Sequence, residues 1–286
     1  KALTRISGNA VLEIISRMRP KSEKSLSRLY EMVCRELIRR LIESYTSSTI
    51  SDEMIQKNQD LEFLIPTIGL EDGIRNASEF DELTSFMKEN SSAFSPEDLG
   101  GISELFSGHD VKLSDSGVEF VNNITRRGAG RVYTPFDVTL HMCEKVIPDI
   151  VSSCNSFDSF QGIRVIDPAC GSGAFLAQAS RVLIREAISK WPERENEIIK
   201  SVFSEVLHGI DLDGFAISLC RLVLWTEAGA PADPMTFRLA QFDSLSIGGA
   251  PSFSRWSEST GLEIEQGYDL WIGNPPYVRI KPSEYD

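Results

Sequence analysis

Residues 165–176 read Val165-Ile-Asp-Pro-Ala-Cys-Gly-Ser-Gly-Ala-Phe-Leu176, an apolar run that enters a glycine turn and continues with helical spacing. Gly171 and Gly173 let the backbone turn tightly, and they let a ligand approach main-chain N–H groups with no Cβ in the way. Strand, glycine turn and helix in that order predict a site for a charged or zwitterionic group. A Gly-x-Gly pair also begins the dinucleotide fingerprint, but Leu176 occupies the third glycine position of that pattern. The acid and proline ahead of the turn are not required by it either. Hydride transfer with a dinucleotide is therefore the weaker use of this turn.

Outward from the turn, short β-branched runs alternate with longer helical ones. Strands are expected at 163–167, 206–211, 237–243 and 268–273, and helices at 173–191, 193–204 and 213–228. That alternation predicts an α/β fold with a parallel sheet covered by helices on both faces. Each strand leads to a chemically pointed end. In His208-Gly-Ile-Asp-Leu-Asp213, Asp211 is placed to accept from both hydroxyls of a ribose. The alternative for Asp211 is the N-cap of the next helix, a task that suits Asp213 better. Asp211 comes 38 residues after Gly173, and the helix at 193–204 absorbs the excess over the ~20 of a minimal unit. The third strand ends in Ala240-Gln-Phe-Asp243 and the fourth in Tyr268-Asp-Leu-Trp-Ile-Gly-Asn-Pro-Pro-Tyr277.

Asp-Pro-Ala-Cys-Gly-Ser-Gly-Ala-Phe-Leu at 167–176 resembles the first motif of the N6-adenine DNA methyltransferases. In that family the glycine turn holds the methionine end of S-adenosylmethionine. The resemblance implies a Rossmann-like class I methyltransferase sheet, left incomplete here, behind an all-helical N-terminal domain. It implies cofactor contacts from Asp167, Ala169, Gly171, Gly173, Asp211 and Leu212, with Asp243 accepting from the cofactor's adenine amino group. Arg131-Val-Tyr-Thr-Pro-Phe-Asp137 is a helix start by ordinary rules, with Thr134 as cap and Pro135 at the first helical position. It is also similar to the Tyr-Thr-Pro motif of the subclass whose cofactor motifs precede the catalytic one. That similarity adds Tyr133, Thr134 and Pro135 to the contacts with the methionine moiety.

Asn274-Pro275-Pro276-Tyr277 decides the reaction class. An exocyclic amine conjugated to a purine ring is a poor nucleophile, because its lone pair is delocalised into the ring. Two acceptors on its hydrogens, the Asn274 side-chain oxygen and the Pro275 carbonyl, would localise that pair. The prolines stiffen the loop before substrate arrives, and Tyr277 offers an aromatic face to a base extruded from the duplex. Methyl transfer is then an in-line displacement from sulfonium to nitrogen, needing neither a metal nor a covalent enzyme intermediate. Cys170 is not asked to be a nucleophile.

The resemblance covers residues 130–279, about half the chain. With a helical front, the order is similar to that of type I modification subunits and of fused restriction-modification enzymes. Two rivals stay open: a methyltransferase acting on a protein glutamine amide, and a non-catalytic module that only binds S-adenosylmethionine. The former shares Asn-Pro-Pro-Tyr, but the Asp-Pro-Ala-Cys turn and the Tyr-Thr-Pro segment favour DNA.

Ahead of the sheet, apolar residues from Leu26 to Tyr45 recur at three- and four-residue steps, with Arg28, Glu31, Arg35, Glu36, Arg39 and Glu43 on the opposite face. This is an amphipathic helix. Further helix starts are expected at 76–81, where a Ser cap is followed three residues on by an acid, and at 95–98. Arg126-Arg-Gly-Ala-Gly-Arg131 suits a solvated connection, so the domains are expected at 1–125 and 126–286. Net charge is −13, and its distribution is uneven. Residues 61–120 carry 3 basic and 13 acidic groups, against 11 and 8 in residues 1–60. The acidic block should face away from DNA, leaving most phosphate contacts and sequence reading to a target-recognition part outside this chain. Specificity and restriction subunits are the further partners implied.

The chain stops nine residues after Tyr277, so the remaining strands of such a sheet are expected to lie outside it, which would leave the fourth strand as an unprotected edge. Weak or no catalysis is expected from this piece alone. Five scattered cysteines predict reduced, mostly buried thiols rather than zinc ligands or disulfides. No apolar run approaches the ~20 residues of a membrane span. The expectation is an excised cytoplasmic piece with no membrane partner.

Overall fold

The computed structural model describes residues 2–18, 23–46, 74, 77–89, 109–114, 117–122, 134–231, 235–244 and 267–275. The expected helix start at 95–98 and the connection at 126–131 lie outside them. The chain divides into two compact units, Lys1–Gly128 and Ala129–Asp286.

In the first unit, α1 (Ala2–Met18) packs on α2 (Glu23–Thr46), and both meet α3 (Asp81–Glu89). The stripe read from the sequence is the buried one: Leu26, Leu29, Val33, Leu37, Ile38 and Leu41 join Val11, Ile14 and Ile15 of α1. Glu36 departs from its expected polar face and is 3% exposed. Its carboxylate accepts from Arg39 at 2.7 Å and Arg40 at 3.0 Å, two cations one turn on whose stems reach over it. At 76–81 the structure also corrects the expected cap. Ala77, with no side-chain bond, is the N-cap of a 3₁₀ turn (Ser78–Phe80) that runs into α3.

The first unit is not all-helical. β1 (His109–Ser114) and β2 (Gly117–Asn122) form an antiparallel hairpin. The physical reason is a period-two pattern: Val111 is paired with Phe120 and Leu113 with Val118, while exposed Lys112 lies opposite exposed Glu119. The Phe120 ring meets Tyr30 of α2 edge-on, 6.2 Å between centroids.

The second unit holds a four-stranded, all-parallel sheet in the order β5-β4-β3-β6. Its strands are β3 (Val165–Asp167), β4 (Leu207–Asp211), β5 (Arg238–Gln241) and β6 (Leu270–Trp271). Each lies within its expected span but is shorter, β3 and β4 at their amino ends and β5 and β6 at both ends. β3 and β4 are buried except for Asp211 at the end, as strands covered on both faces must be. The chain steps outward from β3 to β4 to β5, then returns to place β6 on the other side of β3.

Helices α4 (Phe136–Ser153), α5 (Phe157–Gln161), α6 (Ala174–Lys190), α7 (Glu195–Ser201) and α8 (Gly214–Glu227) belong to the same unit, and α6 and α8 pack directly on the strands. α6 packs against α4, α8, β3 and β4, burying Leu176, Val182 and Leu183. Arg181 of α6 grips Glu227 of α8 through two hydrogen bonds of 2.9 and 2.6 Å. The helix expected at 193–204 is three pieces: a 3₁₀ turn (Pro192–Arg194), α7, and a π-helical turn (Val202–Val206) that feeds β4. Among the described residues no helix is long and apolar enough to cross a membrane.

Candidate active site

In an open parallel sheet, ligands collect at the carboxyl ends of strands where the chain reverses its direction of travel across the sheet. Here that point lies between β3 and β6. The glycine turn after β3 and the Asn274 loop after β6 both emerge there.

The turn is pinned by the Cys170 N–H donating to the Ile210 carbonyl at 2.8 Å and the Gly173 N–H to the Cys170 carbonyl at 2.8 Å. The two glycines serve different needs. Both have positive φ, 55° at Gly171 and 90° at Gly173, where L side chains are strained. A Cβ on Gly171 would meet nothing within 4 Å, so the space over the turn is open. A Cβ on Gly173 would lie 2.7 Å from Cys220 Sγ, so there glycine lets α6 start against α8.

Asp211 ends β4 and ties it to the turn. Its Oδ2 accepts from the Gly171 N–H at 2.9 Å and its Oδ1 from the Asp213 N–H at 2.8 Å. Asp213 caps α8, accepting from the Phe215 N–H at 3.0 Å. Between them Leu212 stands 62% exposed, an apolar side chain at a strand end. Asp243, half-buried, follows β5 on a segment whose Phe242 N–H donates to the Asp211 carbonyl at 3.0 Å. The next residue, Ser244, donates its hydroxyl to the Pro168 carbonyl. The ends of three strands are thus cross-linked around the glycine turn.

Asp167 is the least solvated acid of the group, at 1% exposure. Burial is the main reason its carboxyl is pushed up to about 7. Repulsion from Asp211 adds to this, and the Ala169 N–H, donating to Oδ1 at 3.0 Å, opposes it. The same carboxylate lies against Gly273, where a Cβ would come within 3.0 Å of Asp167 Cγ.

Asn274 is carried to the site by β6, whose Ile272 N–H donates to the Ile166 carbonyl at 2.9 Å. Its Nδ2 donates to Thr134 Oγ1 at 3.0 Å. Thr134 therefore does not do the capping expected of it. Pro135, rather than filling the first helical position, is the N-cap of α4 with no side-chain bond, and the helix begins at Phe136. The residue before a proline is held extended, which turns the Thr134 hydroxyl outward from the helix start. Pro275 is exposed, and Tyr133, Pro276 and Tyr277 lie outside the described residues.

Sequence reasoning did not single out Gly273 or Ser244. The only trace of Gly273 is a glycine directly before Asn274; nothing marked Ser244. All five cysteines are buried. A hydrogen bond with Cys220, then burial, holds the Cys170 thiol well above its ordinary range, and burial pushes Cys143 up to about 12. Neither is a ready thiolate. Among the described residues no group of three or more His, Cys, Asp or Glu is placed to hold a metal ion.

Residues 153–284 match the family described as "MmeI, DNA-methyltransferase domain". The chain is 27% identical over 154 residues to the adenine-specific methyltransferase PglX of Streptomyces coelicolor, covering 43% of this chain and 13% of that protein. It is 27% identical over 164 residues to the type I restriction enzyme MjaIX methylase subunit of Methanocaldococcus jannaschii, covering 54% of this chain and 21% of that one. Among solved structures, that of a DrdV–DNA complex aligns over 99% of this chain and 27% of its own, at 16% identity and a TM-score of 0.51. The chain therefore spans about a fifth or less of the curated relatives it matches. The resemblance carried by the glycine turn and the Asn274 loop is borne out: this chain is similar to the adenine-specific methyltransferases of restriction-modification systems.

Proposed function

We propose that this chain is the cofactor-binding and catalytic part of a DNA adenine N6-methyltransferase that uses S-adenosylmethionine within a restriction-modification system. On this reading the sheet is the first part of a Rossmann-like class I methyltransferase fold, and the first unit is its N-terminal domain. Residues outside this chain supply target recognition in the cytoplasm, with specificity and restriction subunits as further partners.

The observation that carries the reading is the meeting of two motifs, Gly273 lying against Asp167 so that Asn274 stands beside the glycine turn. The residues present fit the cofactor. The space above Gly171 is open, Asp211 closes the end of β4 where ribose hydroxyls can donate, and exposed Leu212 offers an apolar surface to a purine. Tyr133, Thr134, Pro135, Asp167, Ala169, Gly171 and Gly173 would hold the methionine end, and Asp243 the adenine amino group. When bound, S-adenosylmethionine supplies a methyl group on a sulfonium, open to attack by nitrogen. Asn274 Oδ1 and the Pro275 carbonyl accept the two hydrogens of the target amine and localise its lone pair. Pro276 stiffens the loop, and Tyr277 stacks on the extruded base.

The test is transfer of labelled methyl from S-adenosylmethionine to adenine-containing duplexes by the complete protein, followed by nucleoside chromatography. N6-methyladenine is expected. Asn274→Ala should abolish it while calorimetric cofactor affinity stays within about twofold, since only the transition state uses those acceptors. Methylated protein amides with unmodified DNA would overturn the reading, as would cofactor binding without any transfer.

A further inference from the structure

Asn274 is held from two directions. Its backbone is placed by the bond from Ile272 to Ile166 and by the close seat of Gly273 on Asp167. Its side chain is held separately, by the 3.0 Å bond from Nδ2 to Thr134 Oγ1, contributed by a residue 140 positions earlier. A planar amide has its donor at one end and its acceptor at the other, so an acceptor fixed at one end settles where the oxygen points. The reversed amide would turn two N–H donors toward the hydrogens of the substrate amine, which repels it. Thr134 suits the task. It is half-buried, its branched side chain is stiff at χ1, and Pro135 restricts its backbone. Its hydroxyl is released from capping because α4 begins without a side-chain cap bond.

We infer that Thr134 is a positioning residue for methyl transfer: its hydroxyl oxygen takes a hydrogen of the Asn274 amide and so presents Asn274 Oδ1 to the substrate amine. This rests on the proposed adenine methylation, and it gives Thr134 a duty distinct from contact with the cofactor's methionine end.

The experiment compares Thr134→Val, which keeps the shape and removes the acceptor, with Thr134→Ser, which keeps the acceptor, in the complete protein. Thr134→Val should slow single-turnover transfer at saturating cofactor by roughly 10- to 100-fold, the cost of a misplaced acceptor, a loss larger than any weakening of cofactor binding through its contact with the methionine end. Thr134→Ser should recover most of that loss. An affinity loss equal to the loss in transfer, or no recovery in Thr134→Ser, would overturn the inference.

A second readout does not depend on activity. The Asn274 side-chain amide signal in a ¹⁵N-asparagine-labelled sample, identified by its disappearance in Asn274→Ala, should move in Thr134→Val and stay in place in Thr134→Ser. An unmoved signal overturns the inference. If the unaltered protein transfers no methyl group to adenine, the proposed function falls, and a moved signal still supports Thr134 as the group that orients Asn274.

Discussion

The carboxylate of Asp167 occupies the space that a side chain on Gly273 would need, with Asp167 Cγ 3.0 Å from where that Cβ would sit. Asp167 ends β3 and Gly273 lies two residues past the end of its parallel neighbour β6, 106 positions away in sequence. Their contact sets the distance between the glycine turn and the Asn274 loop. Gly273→Ala should therefore push the loop outward, at about 1–3 kcal/mol for overpacking a tight contact. The expected result is a lower denaturant midpoint together with slower transfer. Asp167→Ala in the same chain should return part of the stability, since it empties the space. Equal midpoints for Gly273→Ala and the unaltered protein would mean that the contact constrains nothing.

Asp167 also makes stability depend on pH. Its folded carboxyl titrates at about 7 and an unfolded one near 3.8, so across that window the folded chain keeps a proton that the unfolded chain releases. Stability due to this group is fully present below the lower value and is lost as pH rises toward the upper one. His208 works in the opposite sense. Burial lowers it to about 4 from 6.5, so its contribution grows as pH rises between those values. In the unaltered protein the two slopes oppose each other from about pH 4 to 6.5, and only the loss remains above that. Asp167→Asn keeps the Ala169 N–H acceptor and removes the titration. Its unfolding free energy should rise with pH below 6.5 and exceed that of the unaltered protein at pH 8 by on the order of a few kcal/mol. Parallel pH profiles for the two proteins would show that Asp167 stays ionised throughout.

Asp211 joins the glycine turn to the start of α8, since its two oxygens accept from the Gly171 and Asp213 N–H groups. Asp211→Ala should loosen the turn and remove the proposed ribose acceptor, weakening S-adenosylmethionine binding at least about tenfold, the worth of one or two charge-assisted hydrogen bonds. Asp211→Asn should lose less. Titration calorimetry measures both. Unchanged affinity in the alanine variant would move the ribose contact to another residue.

The sheet was legible in the sequence because buried parallel strands are short apolar runs between helices, and the acids at 167, 211 and 243 stand where such runs stop. The hairpin at 109–122 was not, because its strands carry only two and three apolar residues, interrupted by charged ones, and their alternation becomes evident only once the register pairs them. The misreading at Thr134 has a similar cause. Thr-Pro before an apolar periodicity satisfies every local rule for a cap, and only a partner 140 residues away, Asn274, shows that the hydroxyl is engaged elsewhere. Gly273 and Ser244 escaped for the same reason, since their contacts with Asp167 and Pro168 exist only once the strands are side by side. The split of 193–204 into 3₁₀, α and π turns follows from fitting a fixed number of residues between α6 and β4, which local propensity cannot anticipate.

Lys190 gives a test of the scaffold that is independent of chemistry. It is the last residue of α6, and its ammonium donates to the carbonyls of Val151 at 3.3 Å, Ser152 at 3.0 Å and Cys154, at the carboxyl end of α4. It also sits 5.1 Å from the centroid of the Trp191 ring. The last carbonyls of a helix have no partners within it and carry its negative end, so a cation there satisfies them directly. Lys190→Met keeps the apolar stem and removes the donors, and should cost about 1–2 kcal/mol. Lys190→Gln, with a neutral donor, should fall between. Because the contribution is partly charge with an exposed helix end, the gap between the lysine and glutamine proteins should narrow as salt is raised. A gap that is the same at low and high salt would assign the whole effect to hydrogen bonding and packing, and would remove charge from the account of how α4 is anchored to α6.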